Sequence, residues 1–342
     1  MKRYFFLLAL FLLSSFPIHA DEFQTQLGIE GSKFTINGEP RFLIGASYYG
    51  GLGAPNEIRD RDLQTLKEYG FNWIRVWATW ESFGENVSAF KSTGQLRPIY
   101  LQRLIELVAA CDERGIIVDV TLARVNVPGQ FSPAAHLSGF DAHEQAIRTL
   151  TDALRSHRNW YIDLANERDV QDFRYVPLNE LQQLRNLTRG LAPKLPITAS
   201  FGGHDLSLQE VRDAIHKAKF DFLAVHRPRQ PGTAKRTERK TRQVLQYTID
   251  EKKEVPVHQQ EPFRRGYGNW EPMTDDFILD LRGAIRGGAA GWCFHNGATK
   301  TNRQGIPRRS FDLREKSLFE QLDEEEMAFV KSVKQILKEE LK

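Results

Sequence analysis

The feature that most narrows what this chain can fold into is an alternation repeated eight times: a short apolar run, a polar loop, then an amphipathic stretch of helical length. The apolar runs occupy 42–48, 72–78, 116–122, 160–165, 196–200, 220–226, 255–260 and 289–295. The helical patterns lie at 62–69, 101–114, 143–156, 178–191, 208–217, 241–252, 275–286 and 320–341. Gly70 and Gly115 follow two of these helices, where a left-handed cap residue is favoured. The mature chain, 21–342, has no Pro/Gly/Ser linker, low-complexity tract or solenoid repeat. Eight strand-helix units in one domain predict a (β/α)8 barrel, with a doubly wound open sheet as the other arrangement such alternation permits. Ahead of the first unit, 29–41 reads as a small β-hairpin with Gly31-Ser32 and Asn37-Gly38 as its turns, placed to cover the barrel bottom.

Residues 1–20 stand apart. Lys2 and Arg3 precede an apolar run at 5–13, and Ser14, Ser15 and Pro17 lead to Ala20, the layout of a signal peptide. The expectation is an exported chain beginning near Asp21, periplasmic or extracellular. The apolar run is too short to span a bilayer comfortably, and Asp21 rather than Cys follows Ala20, so neither a membrane anchor nor a lipid anchor is expected.

Across 342 residues, 41% are hydrophobic and 27% charged, which suits a folded soluble chain and excludes disordered, collagen-like and multi-span classes. The 47 Lys and Arg nearly balance the 44 Asp and Glu, so no global charge excess argues for nucleic acid. Cys111 falls in a predicted helix and Cys293 in a predicted strand, so two separate buried thiols are expected. There is no Gly-x-Ser-x-Gly elbow, no Walker loop, no His-x-His on the first strand and no zinc-type cysteine spacing. Nothing in the sequence calls for a metal or cofactor.

A barrel of this kind gathers its functional residues at the C-terminal ends of its strands. The fourth run leads through Asp163-Leu164-Ala165-Asn166 to Glu167, and the seventh leads to Glu261. Two carboxyls on one mouth can divide labour, one protonating a leaving oxygen while the other attacks an anomeric carbon. The plainer alternative is a pair of loop carboxylates neutralised by Arg168 and Arg264. Asn166 is placed to hydrogen-bond a sugar hydroxyl. Trp77, Trp80, Tyr48, Tyr49, Tyr267 and Trp270 fall near strand ends, with Trp77 and Tyr48 taken as sugar contacts.

An Asn-Glu pair ending strand four and a Glu ending strand seven resembles the clan A glycoside hydrolases, and over 29–342 the chain most resembles their family 5, the cellulase-like group. The resemblance implies Glu167 as acid/base and Glu261 as nucleophile, in a retaining mechanism with the carboxyls roughly 5 Å apart. It further implies that Arg75 keeps Glu261 ionised, that His226 is the conserved strand-six His, and that Trp292 floors a sugar subsite. Three places depart from the family pattern: Ala165-Asn166-Glu167-Arg168 replaces Trp-Asn-Glu-Pro, Arg227-Pro228 follow His226, and Thr121-Leu122-Ala123-Arg124 lacks the strand-three His. A β-linked polysaccharide or oligosaccharide is the implied substrate, with transglycosylation or silent glycan binding as alternatives.

Charge refines that expectation. Arg227, Arg229, Lys235, Arg236, Arg239, Lys240 and Arg242 follow strand six, Arg264 and Arg265 follow strand seven, and Lys300, Arg303, Arg308 and Arg309 follow strand eight. Cations concentrated at one mouth suit an anionic glycan; the alternative is a solvated polar rim.

Overall fold

The computed structural model describes residues 25–82, 85–125, 135–295 and 311–341. Each apolar run marks one barrel strand, the seventh strand ending one residue beyond its run: β1 (Leu43–Ser47), β2 (Trp73–Trp77), β3 (Ile117–Thr121), β4 (Trp160–Asp163), β5 (Ile197–Thr198), β6 (Leu223–His226), β7 (Val257–Glu261) and β8 (Gly291–Phe294). They pair in parallel in the order β5-β4-β3-β2-β1-β8-β7-β6. Across the remaining seam, Asp221 N donates to Ile197 O at 2.9 Å and Phe201 N to Ala224 O at 3.2 Å, so the sheet nearly closes. The parallel order excludes an open doubly wound sheet, whose edges would lie apart.

Eight helices follow the strands: α1 (Asn56–Glu68), α2 (Pro98–Asp112), α3 (Phe140–Ala153), α4 (Leu178–Leu191), α5 (Leu208–Arg212), α6 (Thr237–Asp250), α7 (Thr274–Arg286) and α8 (Glu324–Glu340). Their apolar spacing explains the packing. In α3, Ala142, His143, Ala146, Ile147 and Leu150 recur three and four apart and are all buried. Gly70 and Gly115 do end the first two helices with φ of +87° and +72°, a conformation that costs other residues more. The structure moves some boundaries: α1 starts at Asn56, its largely polar first turns giving little apolar periodicity to read, and α8 starts after 320. Asp323 caps α8 by accepting from Glu326 N at 3.0 Å, while Phe319–Gln321 forms a separate short turn.

The N-terminal segment forms three antiparallel strands, Leu27–Glu30, Lys33–Ile36 and Glu39–Pro40. Phe34 enters the barrel bottom and meets Phe222 edge-on at 5.0 Å. Leu43, Trp73, Ile117, Tyr161 and Ala224 complete this apolar plug. Gly291 is required there, since a Cβ would lie 2.1 Å from His258 Cδ2. Above the plug the interior turns polar, and that layer supports the mouth. Cys111 and Cys293 are buried and unpaired. Among the described residues no helix is long and apolar enough to cross a membrane.

Candidate active site

Side-chain alternation along the strands decides who reaches the mouth. On β2, Trp73, Arg75 and Trp77 share one parity, and Arg75 is fully buried inside the barrel. Its guanidinium Nε donates to Thr121 Oγ1 at 3.0 Å and lies 3.2 Å from Asp119, while Nη2 donates to Asp163 at 2.9 Å and Asn166 Oδ1 at 3.0 Å. Nη1 donates to Glu261 Oε1. Burial lowers the Arg75 pKa, but Glu261, Asp119 and Asp163 outweigh it and raise it well above the ordinary value. Burial and Asp163 push the Asp119 carboxyl up to about 7 despite Arg75.

Glu261 reaches this centre through a backbone irregularity. Val225 pairs with Gln259, but the next residue, His226, pairs with Glu261, so β7 carries one extra residue beside β6. Such a bulge re-aims side chains. Gln260 and Glu261 consequently both turn inward, Gln260 donating to Asp163 at 3.3 Å and Glu261 meeting Arg75. Glu167 is placed by a second local device: it adopts φ +47°, costly for a residue with a Cβ, and its N–H donates to Ser200 Oγ at 3.0 Å.

The two carboxylates and His226 offer oxygen and nitrogen atoms all within 4.8 Å of one another. His226 Nδ1 lies 3.1 Å from Glu167 Oε1, and its Nε2 lies 2.9 Å from Gln260 Oε1. Arg229, from the loop after β6, donates through Nη2 to Glu261 Oε2 at 2.6 Å and Glu167 Oε1 at 3.2 Å. Arg174 donates to the other oxygen of Glu167. Tyr49 Oη donates to Glu261 Oε1 at 2.8 Å.

Burial pushes both carboxyls upward, but their cationic surroundings outweigh it. His226, Arg75 and Arg229 hold Glu261 well below the carboxylate range, and His226 and Arg229 do the same to Glu167. His295 stands 3.6 Å from Glu261, but burial and Arg264 hold its pKa well below the ordinary value, so it sits there as neutral imidazole. The Glu167-His226-Glu261 trio also has metal-ligand spacing. Guanidiniums already occupy its carboxylate oxygens, however, which sets this donor arrangement against a cation.

Arg75, Asn166, Glu167, His226 and Glu261 thus converge, with Trp77 half-buried beside them: Arg75 lies 5.6 Å from its ring centroid, and its Nε1 has no hydrogen-bond partner. Two expected sugar contacts do not converge. Trp292 is fully buried on the outer face of β8, where its Nε1 donates to Asp280 at 2.7 Å and its ring meets Phe329 at 5.4 Å. Tyr48 is likewise fully buried and donates to Asp62 at 3.0 Å. Both have the wrong parity for the mouth: Tyr49, the next residue, and His295, three residues on, occupy the places assigned to Tyr48 and Trp292. The inward Cys293, whose Sγ lies 3.6 Å from Ser47, fixes that parity and points two residues on to His295.

The arginines adjacent in sequence to the key residues do not neutralise the carboxylates. Arg168 donates to Val176 O at 3.3 Å, and Arg227 pairs with Asp205. Arg124, where the strand-three His was missing, pairs with Glu180. The strand-six basic cluster is partly neutralised too, with Lys240 3.6 Å from Asp205 and Arg242 2.7 Å from Glu238. Lys300, Arg303, Arg308 and Arg309 lie outside the described residues.

No protein-family model and no curated protein matches the sequence. Solved structures do. A family 5 glycoside hydrolase from Bacteroides vulgatus ATCC 8482 superposes with TM-score 0.62 at 14% identity, over 80% of this chain and 62% of that one. An endo-1,4-β-mannanase from Rhizomucor miehei gives TM-score 0.60 at 13% identity, over 92% and 99%. A family 5 mannosidase from Rhizomucor miehei, in complex with mannosyl-fructose, gives 0.59 at 16% identity, over 94% and 100%. The chain spans 61–65% of the length of the first three glycoside hydrolase structures. This chain therefore has the (β/α)8 fold of the family 5 glycoside hydrolases.

Proposed function

We propose that the protein is an exported retaining glycoside hydrolase acting on β-linked glycans, with Glu261 as nucleophile and Glu167 as acid/base. The observation that carries this reading is that Glu167 and Glu261 each bring a carboxylate oxygen within 4.8 Å of the other's at the barrel mouth, a closeness in keeping with double displacement. In the first step a Glu261 oxygen bonds to the anomeric carbon as the glycosidic C–O bond breaks, and Glu167 gives its proton to the departing oxygen. In the second, Glu167 takes a proton from water, whose oxygen bonds to the anomeric carbon and releases the Glu261 carboxylate. Arg75 holds Glu261 ionised for the attack. Asn166, its Oδ1 taken by Arg75, is left to donate its NH2 to a sugar hydroxyl.

Glu167 must carry a proton in the first step, and its contacts with Arg229 and Arg174 oppose that. A sugar entering between the carboxylates would compete with Arg229 for them, and loss of that contact would ease protonation of Glu167. That same Arg229 contact favours a second reading, a glycan-binding barrel in which the carboxylates stay bridged and no bond breaks. The structural neighbours that act on mannans and mannosides make β-mannans the first polymers to try. Export rests on the signal-like segment at 1–20.

The test is reducing-sugar release by the purified chain from neutral, uronate-bearing and sulfated β-glycans. Hydrolysis is expected from at least one polymer, abolished in Glu261→Ala and lowered roughly 10²–10⁴-fold in Glu167→Gln. Retention of a polymer without cleavage would establish the binding barrel instead.

A further inference from the structure

A buried cation that no carboxylate among the described residues touches, its nearest counter-charge being Glu261 across His295, lies beside the candidate nucleophile. Arg264, just past β7, is 7% exposed. Its Nη1 donates to His295 Nε2, a neutral partner whose Nδ1–H donates to Pro262 O at 2.9 Å. Its guanidinium stacks 4.0 Å from the Tyr267 ring centroid, and its buried Nε has no hydrogen-bond partner. Among the described residues, no carboxylate lies within ion-pair distance of it; Arg75, Arg174 and Arg229 each have at least one.

Burial of an unpaired charge is expensive, and burial together with Arg229 lowers the Arg264 pKa. The arrangement is stable in function if a ligand supplies the missing anion. The position says what kind. Arg264 and Glu261 are joined through His295, which touches Arg264, lies 2.9 Å from Tyr49 Oη and stands 3.6 Å from Glu261. Arg264 therefore borders the place where a sugar ring would present its anomeric carbon to Glu261, within reach of an anionic substituent of that ring. Of the anionic groups a hexose ring carries, the C6 carboxylate of a uronic acid, borne directly on carbon 5, matches best, because a planar, aromatic-backed guanidinium is suited to a carboxylate.

We propose that Arg264, backed by Tyr267 and oriented by His295, is a specificity residue that binds the carboxylate of a uronic acid in the sugar subsite at Glu261. This deepens the glycosidase reading and rests on it for the sugar, though not for the anion. It also replaces the diffuse basic rim with one residue.

Calorimetric titration tests it with matched methyl β-glycosides: glucuronide against glucoside, galacturonide against galactoside, mannuronide against mannoside. In at least one pair the uronide should bind roughly tenfold to a hundredfold more tightly, as a charge-assisted contact implies. The preference should vanish in Arg264→Gln and return in part in Arg264→Lys. Equal binding within all three pairs by the unaltered protein overturns the proposal, and this comparison needs no variant to fold. So does a uronide preference that persists in Arg264→Gln, or tighter binding of the matching 6-sulfated glycoside. Hydrolysis is read separately. Cleavage of neutral glycans with no uronide preference removes this inference and keeps the glycosidase, whereas uronide preference without any turnover removes the glycosidase and keeps the anion subsite.

Discussion

Glu167 is the residue whose chemistry depends most on its neighbours. Arg174 and Arg229 both bond to it, and with His226 they favour its ionised form, the wrong one for donating a proton. Removing either guanidinium raises its pKa. In Arg174→Gln the alkaline limb of the pH–rate profile should therefore move to higher pH, since that limb reports loss of the acid's proton. A limb that stays in place would show that Arg174 does not act on the acid. Arg75 carries the converse role. Arg75→Met leaves Asp119, Asp163 and Glu261 buried without their shared cation, so it should cost about 3–5 kcal/mol of stability as well as activity, checked by denaturant unfolding.

At the scale of elements, the strands show what was legible in the sequence and what was not. The approximate places of β1 to β8 and the carboxylates at the ends of β4 and β7 follow from apolar runs and strand-end position. Parity was the missing quantity. An apolar run such as 289–295 is buried on both faces, so hydropathy alone does not say whether Trp292 or Cys293 points inward. The small residues Gly291 and Cys293 carried the signal, because the barrel interior beside His258 has room for little else. The β7 bulge, the αL backbone at Glu167 and Arg174 are set by tertiary pairing and left no local trace, while Arg229 showed only as one of the cations after strand six, with nothing to say that it would bridge the two carboxylates. The outer placement of Trp292 has its own test. Trp292→Phe leaves the buried Asp280 carboxylate without its indole donor, and should destabilise by about 1–3 kcal/mol while kcat/KM is unchanged. A loss of kcat/KM with unaltered stability would put the indole back at the sugar.

For the molecule as a whole, the mouth concentrates cost that the apolar plug and helix layer must offset. Glu167 and Glu261 have native pKa values depressed below the unfolded value of about 4.3, so the stability they supply is present above that pH and is lost as pH falls below it. The melting temperature should drop on acidification through this range. Glu261→Gln should be less stable near neutral pH yet lose less on acidification, measured by scanning calorimetry across pH; an unchanged acid slope would mean that Glu261 is not held ionised by Arg75 and Arg229.

The account turns on whether Glu261 attacks an anomeric carbon. The direct measurement is mass spectrometry of the protein after incubation with activated 2-deoxy-2-fluoro β-glycosides, which slow the second displacement and trap the first. The account predicts one added sugar, located by peptide mapping on Glu261 and absent from Glu261→Gln. Hydrolysis of the parent glycosides with inverted anomeric configuration and no adduct, or an adduct on another residue, would contradict it.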